Sequence, residues 1–193
     1  NNPDITFDGH PIDSVGNVWN DPMKGDWDRG VIQIATPSLT ATTSTCEARP
    51  IFVWLPQTYA SEGQERYPVL YMHDGQNAFD DPFHPFGHGG WHINTTAAAL
   101  IVVAIPNDPQ RRLQEYGVGE DVFDATNHPY ARYLIDDVMP FINARYRTRT
   151  GPESTWLMGS SMGGVISLFL AYHHPEVFGQ AACLSTAFSV SNE

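Results

Sequence analysis

Apolar residues cluster in short runs along the chain, and glycine, proline or polar residues bound each run. Val31–Ala35 and Ile51–Leu55 are two such runs, and the turn-rich Thr/Ser stretch between them predicts an antiparallel strand pair. Continuous rather than alternating apolarity is typical of strands that are covered on both faces of a sheet. Four further runs are predicted strands: 69–72, Ile101–Ile105, 155–158 and Gln180–Leu184.

Apolar residues spaced three and four apart predict helices between these strands. Residues 130–145 carry one apolar stripe on a single helical face. Pro140 lies inside this stretch, so we expect it to kink the helix or to mark its last turns. A second helix is predicted over Met162–His173, where Pro175 stops it, and a shorter one over residues 94–100.

The alternation of strands and helices predicts an α/β domain with a mostly parallel central sheet and helices on both faces. A chain of 193 residues has the length of one ordinary domain, and we expect residues 1–193 to form a single one. Residues 1–29, rich in Asp, Asn, Gly and Pro, are expected to form an irregular N-terminal extension.

Charge and composition narrow the function. Lys and Arg total 10 against 22 Asp and Glu, a net charge of -12, which argues against nucleic acid or an anionic membrane surface as partner. No apolar run approaches the length of a membrane span. The Thr/Ser-rich, Lys-poor N-terminal region and the sequon at residues 94–96 favour an exported protein, and we expect that any targeting peptide has been removed or left out. Two cysteines define no disulfide framework, and Cys183 is predicted to be a small core residue.

The motif that carries chemistry is Gly-Ser-Ser-Met-Gly at residues 159–163, between a predicted strand and a predicted helix. A G-x-S-x-G sequence in this context is the nucleophile elbow, a turn so tight that only glycine fits beside the serine. It predicts Ser161 as a nucleophile presented above the sheet, with the positive end of the following helix beneath it. The alternative is an ordinary Gly/Ser connecting turn.

A serine nucleophile needs donors for the oxyanion of its tetrahedral intermediate. One predicted donor is the backbone amide of Met162. The second is the amide of Gln76, in the loop at residues 73–77, where Gly75 lets the backbone approach closely. The alternative for this loop is a plain turn held by its own Asp and Asn side chains.

Several segments together resemble the Putative esterase family of α/β-hydrolases, which includes enterochelin esterases, feruloyl and acetyl-xylan esterases and the mycolyltransferase antigens. The resemblance implies the α/β-hydrolase fold, Ser161 as nucleophile, and Met162 and Gln76 as oxyanion donors. It also assigns substrate binding to Asp74, Gly75 and Asn77. The segments that carry it are 69–80, 90–94, 111–116, 159–164 and 178–185.

The remainder of a catalytic triad is not found in the sequence. In this fold the acid and the histidine follow the serine, but only Glu176, Glu193, His173 and His174 do so here. Both histidines end the helix that begins at Ser161, which places them roughly 18 Å away. We therefore expect a longer natural protein whose last two strands carry these residues. The alternative is a binding protein that kept the elbow and lost catalysis.

The sequence thus predicts a serine-dependent carboxylic ester hydrolase that acts through an acyl-enzyme on a small-molecule or glycan ester. An acyltransferase of the same family and a non-catalytic ligand-binding relative remain alternatives. No metal or organic cofactor is implied. His84, His88 and His92 recur every four residues, but the prolines and glycines among them favour a solvated loop over a metal-binding helix.

Overall fold

A computed structural model describes most of the chain from residue 46 onward, together with the backbone of three strands before it: β1 (Thr6–Phe7), β2 (His10–Pro11) and β3 (Val31–Ala35). The predicted helix over residues 94–100 lies outside the described residues except for a bend at its last two positions. Apart from β1, β2 and β3, the described residues are 46, 49–59, 63–79, 90–93, 99–118 and 128–188.

Five further strands join β3 in one sheet: β4 (Ile51–Leu55), β5 (Val69–His73), β6 (Ile101–Ile105), β7 (Thr155–Ser160) and β8 (Gln180–Leu184). The strand order is β3-β4-β6-β5-β7-β8. β4 runs antiparallel to β3 and to β6, whereas β6, β5, β7 and β8 are parallel. The predicted mostly parallel sheet is confirmed, and every predicted strand is present. A separate antiparallel pair, β1 and β2, lies within the predicted N-terminal extension.

The helices are α1 (Arg112–Tyr116), α2 (Pro129–Arg132), a π-helical segment (Tyr133–Val138), α3 (Met139–Arg145) and α4 (Met162–His173). α4 has the predicted bounds. The predicted helix over residues 130–145 is also present, and Pro140 lies in its last segment, α3, as expected of a proline that marks the last turns.

The π-helical segment explains how Pro140 is accommodated. The Met139 amide donates to the Leu134 carbonyl, five residues earlier rather than four. A proline lacks the N–H of a regular helical bond, and its ring crowds the carbonyl four residues before it. The wider turn ends just before Pro140, which then lies in the first turn of α3, where no donor is needed.

The two faces of the sheet carry separate apolar clusters. Alternate residues of each central strand, such as Val53, Tyr71 and Val103, pack beneath the helices in the larger cluster. The residues between them, such as Met72 and Val102, form a smaller cluster on the opposite face. The segments packed on that second face include residues 78–79, 91 and 93.

β8 is less well covered than the central strands. Its residues alternate between exposed and half-buried, and Leu184 is 42% exposed. Cys183 is half-buried rather than part of the core, so its prediction was wrong. The reason is its position at an edge of the sheet, where the described residues cover neither face fully. No helix within the described residues is long and apolar enough to cross a membrane.

Candidate active site

The parallel strands bring two loops to one edge of the sheet. β5 and β7 are hydrogen-bonded neighbours with Met72 opposite Met158, so the segments that leave them emerge side by side. These segments are residues 74–77, called here the β5 loop, and residues 159–163, the elbow. Their approach is close, because a Cβ atom added to Gly163 would lie 3.1 Å from Asp74 Oδ2.

Ser161 occupies the strained turn that the sequence predicts. Its backbone has φ 56° and ψ -120°, a conformation that residues other than glycine rarely adopt. The residue is exposed, and its side chain makes no capping hydrogen bond to α4. The Ser161 N–H donates to the Leu184 carbonyl at 2.9 Å, and its carbonyl accepts from the amide of Ala187 at 3.2 Å. Backbone hydrogen bonds therefore fix the elbow to the end of β8.

The elbow glycines are required by close backbone contacts. A Cβ on Gly159 would lie 2.2 Å from the Gly163 carbonyl oxygen, a contact that no rotamer change could relieve. On Gly164 the nearest atom would be Thr186 Oγ1 at 2.7 Å, which belongs to a side chain. The spacing G-x-S-x-G thus reflects contact between the strand before Ser161 and the helix after it.

Met162 is the first residue of α4, and its side chain is buried. The N–H groups of a first helical turn have no carbonyl partner within their own helix and carry the positive end of its dipole. The Met162 amide therefore lies directly after Ser161 in the position of an anion-binding group.

The β5 loop contains a second strained residue. Asp74 is left-handed, with φ 54° and ψ 45°, and a 3-10 turn over Gly75–Asn77 follows it. A Cβ on Gly75 would lie 2.3 Å from the backbone of Ala104, so only glycine allows the loop this close to β6. The turn bonds join the Asn77 amide to the Asp74 carbonyl and the Ala78 amide to the Gly75 carbonyl. The Gln76 amide takes part in neither bond.

Asp74 is held by side chains from another part of the chain. Arg112 on α1 donates from Nε to Oδ1 at 2.8 Å and from Nη2 to Oδ2 at 2.7 Å. Asn107 Nδ2 donates to Oδ1 at 2.7 Å, and the Asp74 N–H donates to the Tyr116 hydroxyl at 3.1 Å. The bond to Asp74 raises the pKa of Arg112. The Asp74 carboxylate is buried, and both of its oxygens accept hydrogen bonds from these side chains.

The other loop residues also have partners. Gln76 Oε1 accepts from the Asn107 amide at 3.1 Å, which directs the Gln76 side chain toward β6. The Asn77 carbonyl accepts from the Trp91 amide at 2.7 Å. Gln76 and Asn77 are partly exposed, unlike Asp74 and Gly75.

His73 lies in the core directly before this loop. Its Nδ1 is 2.9 Å from the Tyr130 hydroxyl, and the ring packs against Tyr116 and Tyr130. Nε2 is buried without a hydrogen-bond partner among the described residues. Burial lowers the pKa of His73 to about 4, so the ring is neutral at pH 7. Burial likewise raises the pKa of both tyrosines.

The two histidines that follow Ser161 in the sequence do not lie beside it. His173 and His174 lie at the far end of α4 from Ser161, as predicted. His84 and His88 are outside the described residues, and the part of the chain that is described contains no group of three potential metal ligands. Sequence reasoning missed the contacts that Asn107, Arg112 and Tyr116 make with Asp74. The signal for two of them was present in the family-like segment 111–116.

Comparisons with known proteins agree with this architecture. The model of the family described as Putative esterase matches residues 42–193. An endo-1,4-beta-xylanase/feruloyl esterase of Xylanibacter ruminicola is 27% identical over 150 residues, which are 74% of this chain and 20% of that protein. The diacylglycerol acyltransferase/mycolyltransferase Ag85A of Mycobacterium leprae is 26% identical over 137 residues, covering 67% and 39% of the two chains.

A solved structure supports the fold. The IroE-like serine hydrolase of Shewanella oneidensis superposes with a TM-score of 0.56 at 21% sequence identity, over 81% of this chain and 51% of that one. The chain spans 59% and 20% of the lengths of the first curated relatives that it matches.

Proposed function

Because the chain belongs to the Putative esterase family, we propose that its protein is a serine-dependent carboxylic ester hydrolase with Ser161 as nucleophile. The observation that carries the proposal is the backbone of Ser161: a strained, exposed serine between β7 and α4. Strain of this kind costs about 1–3 kcal/mol and persists where the surrounding structure enforces it, as at active sites.

The proposed reaction proceeds through an acyl-enzyme. Ser161 Oγ forms a bond to the ester carbonyl carbon and loses its proton to a base. The ester C–O bond then breaks, and the alcohol leaves with that proton. Water repeats the sequence on the acyl-enzyme, releasing the carboxylic acid and restoring the serine. We propose that the base is a histidine and that an acidic residue orients it. We assign both residues to positions outside the 193 residues of this chain.

Two amides are proposed to stabilise the oxyanion. Met162 at the start of α4 supplies one, and Gln76 in the β5 loop supplies the other. Two observations support this assignment. Both amides lie at the same edge of the sheet, and the Gln76 N–H takes part in neither of the hydrogen bonds that form the turn at residues 74–78. Removing one such donor typically costs about 10²–10³ in turnover.

The substrate class is a small-molecule or glycan ester. The feruloyl esterase name of one relative supports it, and we propose Asp74, Gly75 and Asn77 as residues near the substrate. Because both Asp74 carboxylate oxygens accept hydrogen bonds from other side chains and its N–H donates to Tyr116, a contact from this residue would use a second lone pair of one of its oxygens.

A matched pair of serine variants tests the proposal. Ser161→Ala should lower the turnover of p-nitrophenyl acetate by at least about a thousandfold, because residual catalysis by the oxyanion donors is all that remains. Ser160→Ala, the adjacent serine, should retain turnover within about threefold of the natural protein. Equal losses in both variants would contradict the assignment of Ser161.

Acyl transfer is the second candidate, because one relative is named a mycolyltransferase. It shares every step to the acyl-enzyme and differs only in whether an alcohol or water accepts the acyl group. Product analysis with and without an added alcohol, such as glycerol or a sugar, separates the two. An acyl-sugar product would favour transfer, and free acid alone would favour hydrolysis.

Export from the cell is also proposed, on the sequon and the N-terminal composition of the sequence. Fractionation of the native host tests it, with recovery in the cytoplasmic fraction as the contrary result.

A further inference from the structure

Two side chains of the short helix α1 hold the residue that opens the β5 loop. Arg112 binds the Asp74 carboxylate with two hydrogen bonds, and the Tyr116 hydroxyl accepts the Asp74 amide. Both the side chain and the backbone of Asp74 are thus fixed by one element. A bidentate arginine fixes orientation as well as distance, which a single-point contact does not.

The other side of α1 is anchored in turn. Glu115 pairs with Arg49 through Nη2–Oε1 and Nη1–Oε2 distances of 2.6 and 3.0 Å. Arg49 lies 5.2 Å over the Tyr133 ring, and Glu115 is buried. Burial lowers the pKa of Arg49, but its bond to Glu115 outweighs this and leaves the pKa above its usual value. α1 therefore connects the β5 loop to a fixed part of the core.

The β5 loop needs such a connection because it is strained. Asp74 is left-handed, and the 3-10 turn that carries Gln76 begins immediately after it. A change of the Asp74 backbone toward an unstrained conformation would rotate the Gln76 amide. An oxyanion donor contributes only when it is directed at the developing charge, and a displacement of about 1 Å can cost a hundredfold.

We propose that Arg112 is a positioning residue for the oxyanion site, holding Asp74 in its left-handed conformation so that the Gln76 amide faces the substrate carbonyl. This inference rests on the proposed esterase function. Arg112 does not touch the reacting atoms and acts through Asp74. Asn107 assists it, since it binds both the Asp74 carboxylate and the Gln76 side chain.

The test compares Arg112→Met with Arg112→Lys in the full-length protein. With p-nitrophenyl acetate as substrate, Arg112→Met should lower kcat about 10- to 100-fold while KM stays within about threefold, because the lost interaction acts in the transition state. Arg112→Lys keeps the charge without the bidentate geometry and should recover part of kcat. The control is Arg132→Met, which removes an arginine paired with Asp136 at 3.1 Å and should change neither constant by more than about twofold.

Three results would overturn the inference. One is a kcat for Arg112→Met within twofold of the natural protein. The second is a loss confined to KM, which would make Arg112 a substrate-binding residue instead. The third is a lysine variant as impaired as the methionine variant, with Arg132→Met equally impaired.

A second readout does not depend on turnover. Amide hydrogen exchange of the peptide containing residues 74–78, followed by mass spectrometry, should be at least about tenfold faster in Arg112→Met, and faster in Arg112→Lys to a smaller degree. If the natural protein hydrolyses no ester, the proposed function fails, but hydrogen exchange still tests whether Arg112 holds the β5 loop. If it turns over through Ser161 and exchange is unchanged in both variants, only the positioning role fails. Should Arg112→Met not fold, the lysine variant decides.

Discussion

The elbow and the β5 loop solve the same problem by different means. Each holds a residue other than glycine at positive φ, Ser161 at 56° and Asp74 at 54°. The elbow is held by its own glycines and by backbone hydrogen bonds to the end of β8. The β5 loop combines one glycine contact with side chains from the segment 107–116. A strained backbone can thus be fixed either by local steric contact or by distant polar groups.

The difference matters for substitution. A turn fixed by backbone contacts tolerates no added atom, but it is indifferent to pH and to changes elsewhere on the surface. A turn that is also fixed by side chains depends, in addition, on the charge and identity of its distant partners. Four predictions test this contrast, from the largest expected effect to the smallest.

The largest effect is expected at the elbow. Gly159→Ala places a Cβ 2.2 Å from the Gly163 carbonyl oxygen, and neither backbone can move without displacing Ser161. We expect a loss of at least about 3 kcal/mol in the free energy of unfolding, measured by urea titration. The matched control is Gly164→Ala, whose nearest contact is the movable Thr186 side chain and whose loss should be smaller. Equal losses would contradict the steric account of the elbow.

The second prediction concerns the pH dependence of the core beside the β5 loop. His73 has a pKa of about 4 in the folded protein, against about 6.5 when unfolded. The unfolded state therefore binds the extra proton first, so this contribution to stability is complete above pH 6.5 and is lost as the pH falls to 4. The loss amounts to roughly 3 kcal/mol.

His73→Gln isolates this effect from the titration of carboxylates. The difference in unfolding free energy between His73→Gln and the natural protein should move by roughly 3 kcal/mol in favour of the variant between pH 7 and pH 4. His173→Gln, which changes a half-buried histidine at the end of α4, serves as the control. A difference that stays constant with pH would show that His73 is not buried as described.

The third prediction breaks the side-chain connection itself. Arg112→Met leaves the buried Asp74 carboxylate without its main partner and should cost about 2 kcal/mol, less than for a fully buried pair because Arg112 is 29% exposed. Adding Asp74→Asn removes the unpaired charge and keeps a residue that tolerates the left-handed conformation, so much of that loss should be recovered. Losses that simply add in the double variant would indicate no coupling between the two residues.

The smallest effect is expected for an ion pair outside both loops. Arg132 and Asp136 are 3.1 Å apart on adjacent helical turns, and both are about one third exposed or more. Asp136→Ala should change the free energy of unfolding by less than about 0.5 kcal/mol. A loss as large as that of Arg112→Met would show that burial does not distinguish the two ion pairs.

The two loops also differ in how far the sequence reveals them. The elbow was predictable because its glycines, its serine and the flanking apolar runs are contiguous in the chain. The partners of Asp74 were not, since Arg112 lies 38 positions away and nothing local to the β5 loop indicates which cation it meets. The strands were predictable for the same local reason as the elbow.

Two further details depend on tertiary context as well. Pro140 was expected to kink its helix or to mark its last turns, and it lies in the last helical segment, but the π-helical segment directly before it was not predicted. Cys183 was assigned to the core from its apolar neighbours, although it is half-buried in β8, the outermost strand of the sheet within the described residues. Neither the π-helical turn nor the edge position has a signature within a few residues of the sequence.

The most direct test of the account is covalent labelling of the full-length protein with a fluorophosphonate, followed by peptide mapping. The reagent reacts with a serine that a base has activated and whose oxyanion is stabilised, so it reports on the elbow and its partners together. We predict a single adduct on the peptide that contains Ser161, lost in Ser161→Ala and retained in Ser160→Ala. An unlabelled protein, or an adduct that persists in Ser161→Ala, would contradict the assignment of Ser161 as the nucleophile.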